Sequence, residues 1–316
     1  MAQPTRNDVH ANRPLTNISV AYVQKQDIYI ATKVFPIVPV DHVSDIYYTY
    51  AKNDWFRDEA QRRAPATESV GSGYNVATDT YNCDVWAIHK DVPDQVRDNE
   101  DAAFNSDRDA TEFVTQRLLL RQERQWAADF FTTSVWGTDL TPTNLWSNYG
   151  TSDPITDIKT AVRTILSTTG FKPNTLVLGY DVYIQLLDHP DIVDRYKYTS
   201  SDLLNEQSLA KLFGIERVFV TTAVYATNVE NETAAYAFVH GKHAWLGYVA
   251  PRPSLLTPSA GYTFAWKGAS YGIGGSIGIK KFRMEPIASD RVEGQIAFDN
   301  KVVASDLGYF FNGAVA

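Results

Sequence analysis

Two stretches rich in β-branched and aromatic residues, 43–50 (Val-Ser-Asp-Ile-Tyr-Tyr-Thr-Tyr) and 81–88 (Tyr-Asn-Cys-Asp-Val-Trp-Ala-Ile), are separated by about thirty residues that are polar and poor in large aliphatics. The two stretches predict strands. The insert between them contains Arg57-Asp58-Glu59 and Gln61-Arg62-Arg63-Ala64-Pro65, with a tip at Gly71-Ser72-Gly73. Such an insert cannot bury a core of its own. A connection of that length is uncommon in a compact domain unless it is a functional loop or an arm that reaches another surface. A disordered surface loop is the alternative.

The segments on either side sharpen this reading. Residues 1–14 are polar, with Pro4 and Pro14, and predict a loose arm that orders against a neighbour. The run Val34-Phe35-Pro36-Ile37-Val38-Pro39-Val40 is apolar and extended. Each proline removes a ladder donor, so the run should lie against a surface and not inside a sheet. Residues 107–134 predict one long helix without a cap, ~42 Å at the standard rise, ending before Gly137 and Pro142. Ala110, Phe113, Val114, Leu118, Leu120, Trp126, Ala127, Phe130 and Phe131 give it apolar surface, but Arg121-Gln122-Glu123-Arg124-Gln125 interrupts them. This suits a rod lying across a sheet, its charged middle open to another subunit; a solvated face is the plainer alternative.

Residues 152–283 alternate helices and strands. Asp153-Pro154 opens a helix bearing Ile155, Ile158, Val162, Ile165 and Leu166, closed by Gly170. A buried strand is predicted at 175–178, a helix over 181–188 stopped by Pro190, and another over 205–213 stopped by Gly214. Strands follow at 217–220, 234–239 and 244–249, the last two joined by His240-Gly241-Lys242-His243. Further strands at 278–285 and 295–303 are placed to return to the sheet that carries the long helix. The fold class is α+β, with a first domain closed by the last residues of the chain.

Composition narrows the function. Eighteen Tyr, 15 Phe and 7 Trp favour large contact surfaces. A formal charge of −8 argues against a protein whose main task is to neutralise phosphates. Cys83 is the single cysteine, which excludes an internal disulfide framework and a Cys-rich zinc site; it reads as a small buried hydrophobe. The first eight residues lack the apolar stretch of a signal peptide, and no run approaches the ~20 apolar residues of a membrane span. The chain is expected to be neither exported nor membrane-embedded by its own signals. The sequons at Asn17-Ile18-Ser19 and Asn231-Glu232-Thr233 carry no meaning outside a secretory route.

Candidate chemistry is sparse. His240 and His243 could share a metal, but no carboxylates cluster near them in sequence, and a turn pair is the simpler reading. Gly272-Ile273-Gly274-Gly275-Ser276-Ile277-Gly278 resembles a dinucleotide loop without the strand before it and the helix after it. Asp188-His189-Pro190-Asp191 offers acid and base types together, as helix ends often do for capping and charge balance. No nucleophile elbow, phosphate-loop lysine or zinc-protease helix occurs. No catalytic, cofactor or metal residues are assigned, and the chain is read as no enzyme.

The order of these parts resembles the major capsid protein of tailed bacteriophages, in the Hong Kong 97 capsid fold that encapsulins share. The resemblance spans nearly the whole chain. It rests on Val34–Val40 leading into the first β-run, the returning Tyr81-Asn82-Cys83, and the long helix with Leu118-Leu119-Leu120-Arg121-Gln122-Glu123-Arg124. Asn174-Thr175-Leu176-Val177-Leu178-Gly179, Leu187-Asp188-His189-Pro190 and Ala210-Lys211-Leu212-Phe213-Gly214-Ile215 complete it. It implies an N-terminal arm over 1–44, an extended β-loop over 45–92, a peripheral domain with a spine helix over 93–151 and 284–316, and an axial α/β domain over 152–283. The implied function is a structural shell subunit that self-assembles as pentamers and hexamers into an icosahedral head around double-stranded DNA. Implied partners are many copies of itself, a portal, scaffolding or decoration proteins, and packaged DNA touched weakly and non-specifically, with no membrane. The implied location is the virion, with assembly in the host cytoplasm.

On this reading Phe35, Ile37 and Val38 anchor the arm, while Arg57, Arg62, Arg63, Arg121 and Arg124 pair with acids across subunits. Some capsids of this fold cross-link a loop lysine to an asparagine; Lys52 and Asn300 lie in the corresponding regions, but the matching motif is absent and no bond is expected. An encapsulin-type compartment is the nearest rival, distinguished by its cargo. A carbohydrate- or ligand-binding module using Trp55, Trp86, Trp146 and Trp245 is a rival of another class, and would be a stable small oligomer. A hydrolase is the third alternative.

Overall fold

The computed structural model describes residues 24–100, 105–197, 205–254, 257–268 and 277–316. The polar arm expected over 1–14, the Asn17 sequon and most of the 272–278 glycine run lie outside the described residues. Both helices and sheets are present, as expected of an α+β fold, and they are organised around two five-stranded sheets.

The first sheet is built on one long strand, Ser289–Val302. Asp84–Pro93 pairs antiparallel along one side of it, and Gly261–Trp266 and Gly278–Met284 share the other side end to end. Ile37–Val40 adds as a parallel edge strand on Gly261–Trp266. The expectation that two prolines keep this run out of a sheet is thereby corrected. Pro39 pairs with Ala265 and no described strand lies on its other side, and an edge is where a missing donor is tolerated.

The long helix, Ser106–Phe130, lies across this sheet. It ends four residues before the position expected and is capped: the Asn105 side chain accepts from the Arg108 amide at 2.9 Å. At its far end the Trp136 indole N–H donates to the Phe130 carbonyl, at 2.6 Å. Ala110 packs with Val92 and Val292, and Val114 and Leu118 pack with Ile296 and Phe298. The helix comes so close to the central strand that a Cβ on Gly294 would stand 2.5 Å from Val114 Cγ1 and 2.8 Å from Leu118 Cδ1. Gly294 therefore sets the helix-to-sheet distance.

The second sheet runs in the order Thr138–Leu140, Gly308–Phe311, Ala244–Gly247, Thr175–Gly179, Arg217–Thr221. Its first and last pairings are parallel and its middle two antiparallel. Pro154–Thr169 packs its Ile155, Ile158 and Ile165 into this core, with Asp153 capping one end and Gly170 (φ 74°) the other. Pro190, expected only as a stop, begins a further helix, Pro190–Lys197, because proline fits the first helical position. Tyr236–Phe238 does not form a hairpin with Ala244–Gly247; it pairs with Val224–Ala226 in a separate ribbon.

Strand membership crosses the sequence boundary expected at 283/284. Gly261–Trp266 and Gly278–Met284 belong to the sheet under the long helix, while Gly308–Phe311 belongs to the other. Gly294→Ala should destabilise the subunit by about 1–3 kcal/mol through overpacking against Val114 and Leu118, read as a lowered midpoint in urea unfolding. Val114→Ala in the same background should recover part of the loss.

Candidate assembly interface

The excursion after residue 43 is a two-stranded ribbon. Ser44–Tyr50 pairs antiparallel with Val76–Asn82 in unbroken register from Ser44↔Asn82 to Tyr50↔Val76. The second predicted strand, 81–88, is in fact divided at Cys83: the residues before it finish the ribbon and those after it enter the first sheet. The root packs against the body. Tyr81 stacks on Phe264 at 4.6 Å between centroids, Tyr47 lies 5.5 Å from the same ring, and Asp299 accepts from the Asn82 amide. Cys83 is buried there, where burial pushes its thiol up to about 11, so it behaves as the small hydrophobe expected.

Beyond the root the ribbon has no core. A hairpin of two strands is marginal in water by itself, yet this one exposes Ile46, Tyr48 and Val76. At its end the turn Lys52–Trp55 brings Trp55 within 6.1 Å of Tyr50 and 5.5 Å of Tyr74. Trp55, Phe56 and Tyr74 remain 53%, 59% and 61% exposed. Contiguous exposed apolar surface of this kind marks an interaction site. Lys52 pairs with Asp306 and so holds the base of the tip against its own subunit.

The eight residues assigned to assembly from sequence fall into three groups. Phe35 is 1% exposed and caged by Phe130 at 4.5 Å, Trp245 at 5.3 Å, Trp126 at 5.8 Å and Trp136 at 6.3 Å. It anchors the arm inside its own subunit, which corrects its assignment to a contact between subunits. Ile37 and Val38 sit half-buried in the edge strand. Arg57 faces its own Asp54 and Glu59, at 4.0 and 3.7 Å. Arg62 and Arg63 are exposed on the tip, where Arg63 donates to the Thr67 carbonyl. Arg121 lies over Trp86, its Cζ 3.8 Å from the ring centroid, and donates to Gln125; Arg124 lies 4.4 Å over Tyr225.

The polar break in the long helix is not an open charged face. Gln122 and Glu123 are buried, and Glu123 Oε2 accepts from the backbone N–H groups of Ile30 and Ala31. A second charged group was also passed over in the sequence. Arg97, Lys281 and Arg283 meet Asp94, Asp107 and Asp290, pinning the start of the helix to the Gly278–Met284 strand. Arg283 forks onto both oxygens of Asp94 at 2.6 Å and holds that carboxyl below its usual range. Nothing at the level of single residues signals such pairs, because they join positions far apart in sequence.

The Asp188-His189-Pro190-Asp191 cluster does bring Ser152, His189 and Asp191 together. Ser152 Oγ donates to the Asn148 carbonyl at 2.7 Å and lies 3.0 Å from His189 Nε2, while the Asp191 amide donates to Nδ1 at 3.3 Å. With the serine proton committed to a carbonyl, Nε2 must carry the hydrogen and Nδ1 must accept. A nucleophile-activating histidine needs the opposite tautomer. The buried imidazole therefore ties helix ends together. His243 Nδ1 similarly accepts from the Gly313 amide at 2.9 Å. Among the described residues no group of three or more His, Cys, Asp or Glu is arranged to hold a metal ion. No described helix is long and apolar enough to cross a membrane.

No family model matches the chain. Along its whole length it is similar to two curated phage proteins. It is 24% identical over 314 residues, 95% of each chain, to the major capsid protein of Burkholderia phage BcepMu. It is 26% identical over 310 residues, 96% of each, to the major capsid protein of Pseudomonas phage JBD67. Among solved structures, a phage-related protein from Bordetella bronchiseptica RB50 superimposes with a TM-score of 0.69 and 25% identity, covering 92% of this chain and 93% of that one. The capsid structure of the cyanophage P-SCSP1u superimposes with a TM-score of 0.64 at 11% identity, over 95% and 91%. The fold is thus that of phage capsid proteins, the Hong Kong 97 class. Within it, the resemblance to the tailed-phage major capsid protein holds from end to end.

Phe35→Ala should cost about 3–5 kcal/mol, because it empties a closed aromatic cage. Trp55→Ala should change subunit stability by no more than ~1 kcal/mol. Urea unfolding of the two variants checks both expectations.

Proposed function

We infer that this chain is the major capsid protein of a tailed bacteriophage, a structural subunit whose many copies build an icosahedral head. The observation that supports the reading is the match to two phage major capsid proteins over 95% and 96% of this chain and of each relative. The exposed aromatic ribbon supports it, since that surface calls for a cover. An encapsulin-type compartment shares the fold, but both curated relatives are phage capsid proteins.

The parts divide by role. The segment before residue 44 is the arm and the ribbon 44–82 is the extended loop. The sheet on Ser289–Val302 with the long helix is the peripheral plate, and the sheet containing Thr175–Gly179 is the axial unit around which pentamers and hexamers form. The work of such a subunit is association, not catalysis. Each loop contact is weak, but several loops laid on several neighbours multiply affinity through effective concentration. A surface of net charge −8 touches packaged double-stranded DNA without gripping it. A portal and scaffolding or decoration proteins complete the head, which assembles in the host cytoplasm.

Negative-stain electron microscopy with light scattering, at rising concentration, tests the reading. Closed shells, or rings of five and six, are expected; a small species that stays small even with crowding agent and scaffold would overturn it. Replacing Arg62 and Arg63 with Glu should block assembly without unfolding the subunit. The Trp55→Ala, Tyr74→Ala double variant should lower shell yield by about tenfold or more, as truncated interface aromatics cost ~2 kcal/mol or more. Unchanged yield in both would remove the loop from assembly.

A further inference from the structure

The assembly role leaves one buried acid and base without a task. Glu123, on the long helix, is fully enclosed. Its Oε2 accepts from Ile30 N at 3.0 Å and Ala31 N at 2.8 Å, capping the helical turn Ala31–Val34 from another part of the chain. Among the described residues its Oε1, which lies 3.6 Å from His240 Nε2, has no hydrogen-bond partner, and neither has either ring nitrogen of His240. The walls are aromatic: the His240 ring centre is 5.4 Å from Trp126 and 5.1 Å from Phe131.

Few charges reach this place. From the arm, Lys33 draws Glu123 toward its ionised form, and Tyr29 has its hydroxyl pushed up by burial and by Glu123. From the second sheet, His243 stands behind His240 and opposes its protonation. Burial outweighs the two amides and Lys33 and pushes Glu123 up to about 7; burial pushes His240 down to about 3. A neutral imidazole beside a carboxylic acid is the arrangement that pairs two of the three orphan atoms, Oε1 and Nε2. The acid O–H on Oε1 donates to Nε2 once the gap tightens to hydrogen-bond length, while Oε2 keeps both backbone donors.

We propose that Glu123 and His240 hold one proton between them and that this proton latches residues 29–35 to the long helix. With it every polar atom that Glu123 presents is paired. Without it a carboxylate is fully buried beside the imidazole, and the arm segment that covers it lifts so that water can reach it. The device is local, because Trp126 and Phe131 keep His240 enclosed when only the arm moves.

The signs follow from the two displacements. Glu123 is raised in the folded chain, so its contribution is complete below its ordinary value of 4.5 and is lost as pH rises through about 7. His240 is depressed, so its contribution is complete above its ordinary 6.5 and is lost as pH falls through about 3. In complete unfolding the two slopes oppose each other between about 4.5 and 6.5, and the melting temperature changes little there. In local opening only Glu123 acts, and the opening constant should grow by about tenfold per pH unit across that window.

Hydrogen exchange of the Ile30 and Ala31 amides, corrected for intrinsic rate, reads this opening in the full chain. Protection should fall with rising pH in the wild type and stay level in Glu123→Gln, whose amide mimics the protonated acid. Infrared difference spectra of the two proteins should show a protonated carboxyl that disappears as pH passes about 7. Lys33→Met, a change at an exposed position, should move that loss to higher pH and serves if Glu123→Gln does not fold. Equal exchange slopes in wild type and Glu123→Gln, or no carboxyl band that responds to Lys33→Met, would overturn the latch.

Discussion

The long helix has to serve two cores, and the rest of the architecture follows from that. Its first turns lie on the central strand of one sheet, through Ala110, Val114 and Leu118. Its last turn belongs to the other core, where Trp126 and Phe130 join Phe35, Trp136 and Trp245. Its buried positions recur every four residues, at Ala110, Val114, Leu118, Gln122, Trp126 and Phe130, so with 3.6 residues per turn the buried stripe winds round the helix from one core to the other. The polar interval at Gln122 and Glu123 falls between the two cores. The interval looks like a break in sequence because it is the place where the helix changes partners.

The arm closes the same crossing from outside. Phe35 inserts among four aromatic rings and Glu123 takes up the backbone donors of Ile30 and Ala31. Burial of a side chain of this size is worth about 1.5–3 kcal/mol, so the arm's last residues are structural. The ribbon's aromatic tip, by contrast, stays exposed. The subunit thus sets a packed plate beside a ribbon whose aromatic tip stays exposed.

Much of this was legible in the residues. Helix signals between 153 and 214 mark true ends because Asp153, Gly170, Asn205 and Gly214 act locally, through caps and positive φ. The excursion was legible because a polar insert cannot form a core. What escaped depends on partners far away. The strand Val76–Asn82 reads as a loop, since Ala77, Thr78 and Asp79 face water on a ribbon. The two sheets exchange strands across residue 283 because pairing depends on distant register, which periodicity does not carry. Phe35 and Glu123 were misjudged for the same reason: an apolar arm and a charged helix face look alike in sequence whether they meet each other or a neighbour.

One consequence concerns synthesis. Ile37–Val40 waits for Gly261–Trp266, and Asp84–Pro93 for Ser289–Val302, so the first sheet cannot close until nearly the whole chain has left the ribosome. At roughly 5–20 residues per second that is a delay of tens of seconds, in which the arm and the aromatic ribbon have no native partner. Thr175–Gly179 and Arg217–Thr221, by contrast, pair over a short span. Folding should therefore begin in the second sheet and end with capture of the arm. A subunit competent to join a shell would then exist only after its last strands are in place, which keeps incomplete chains out of the assembly.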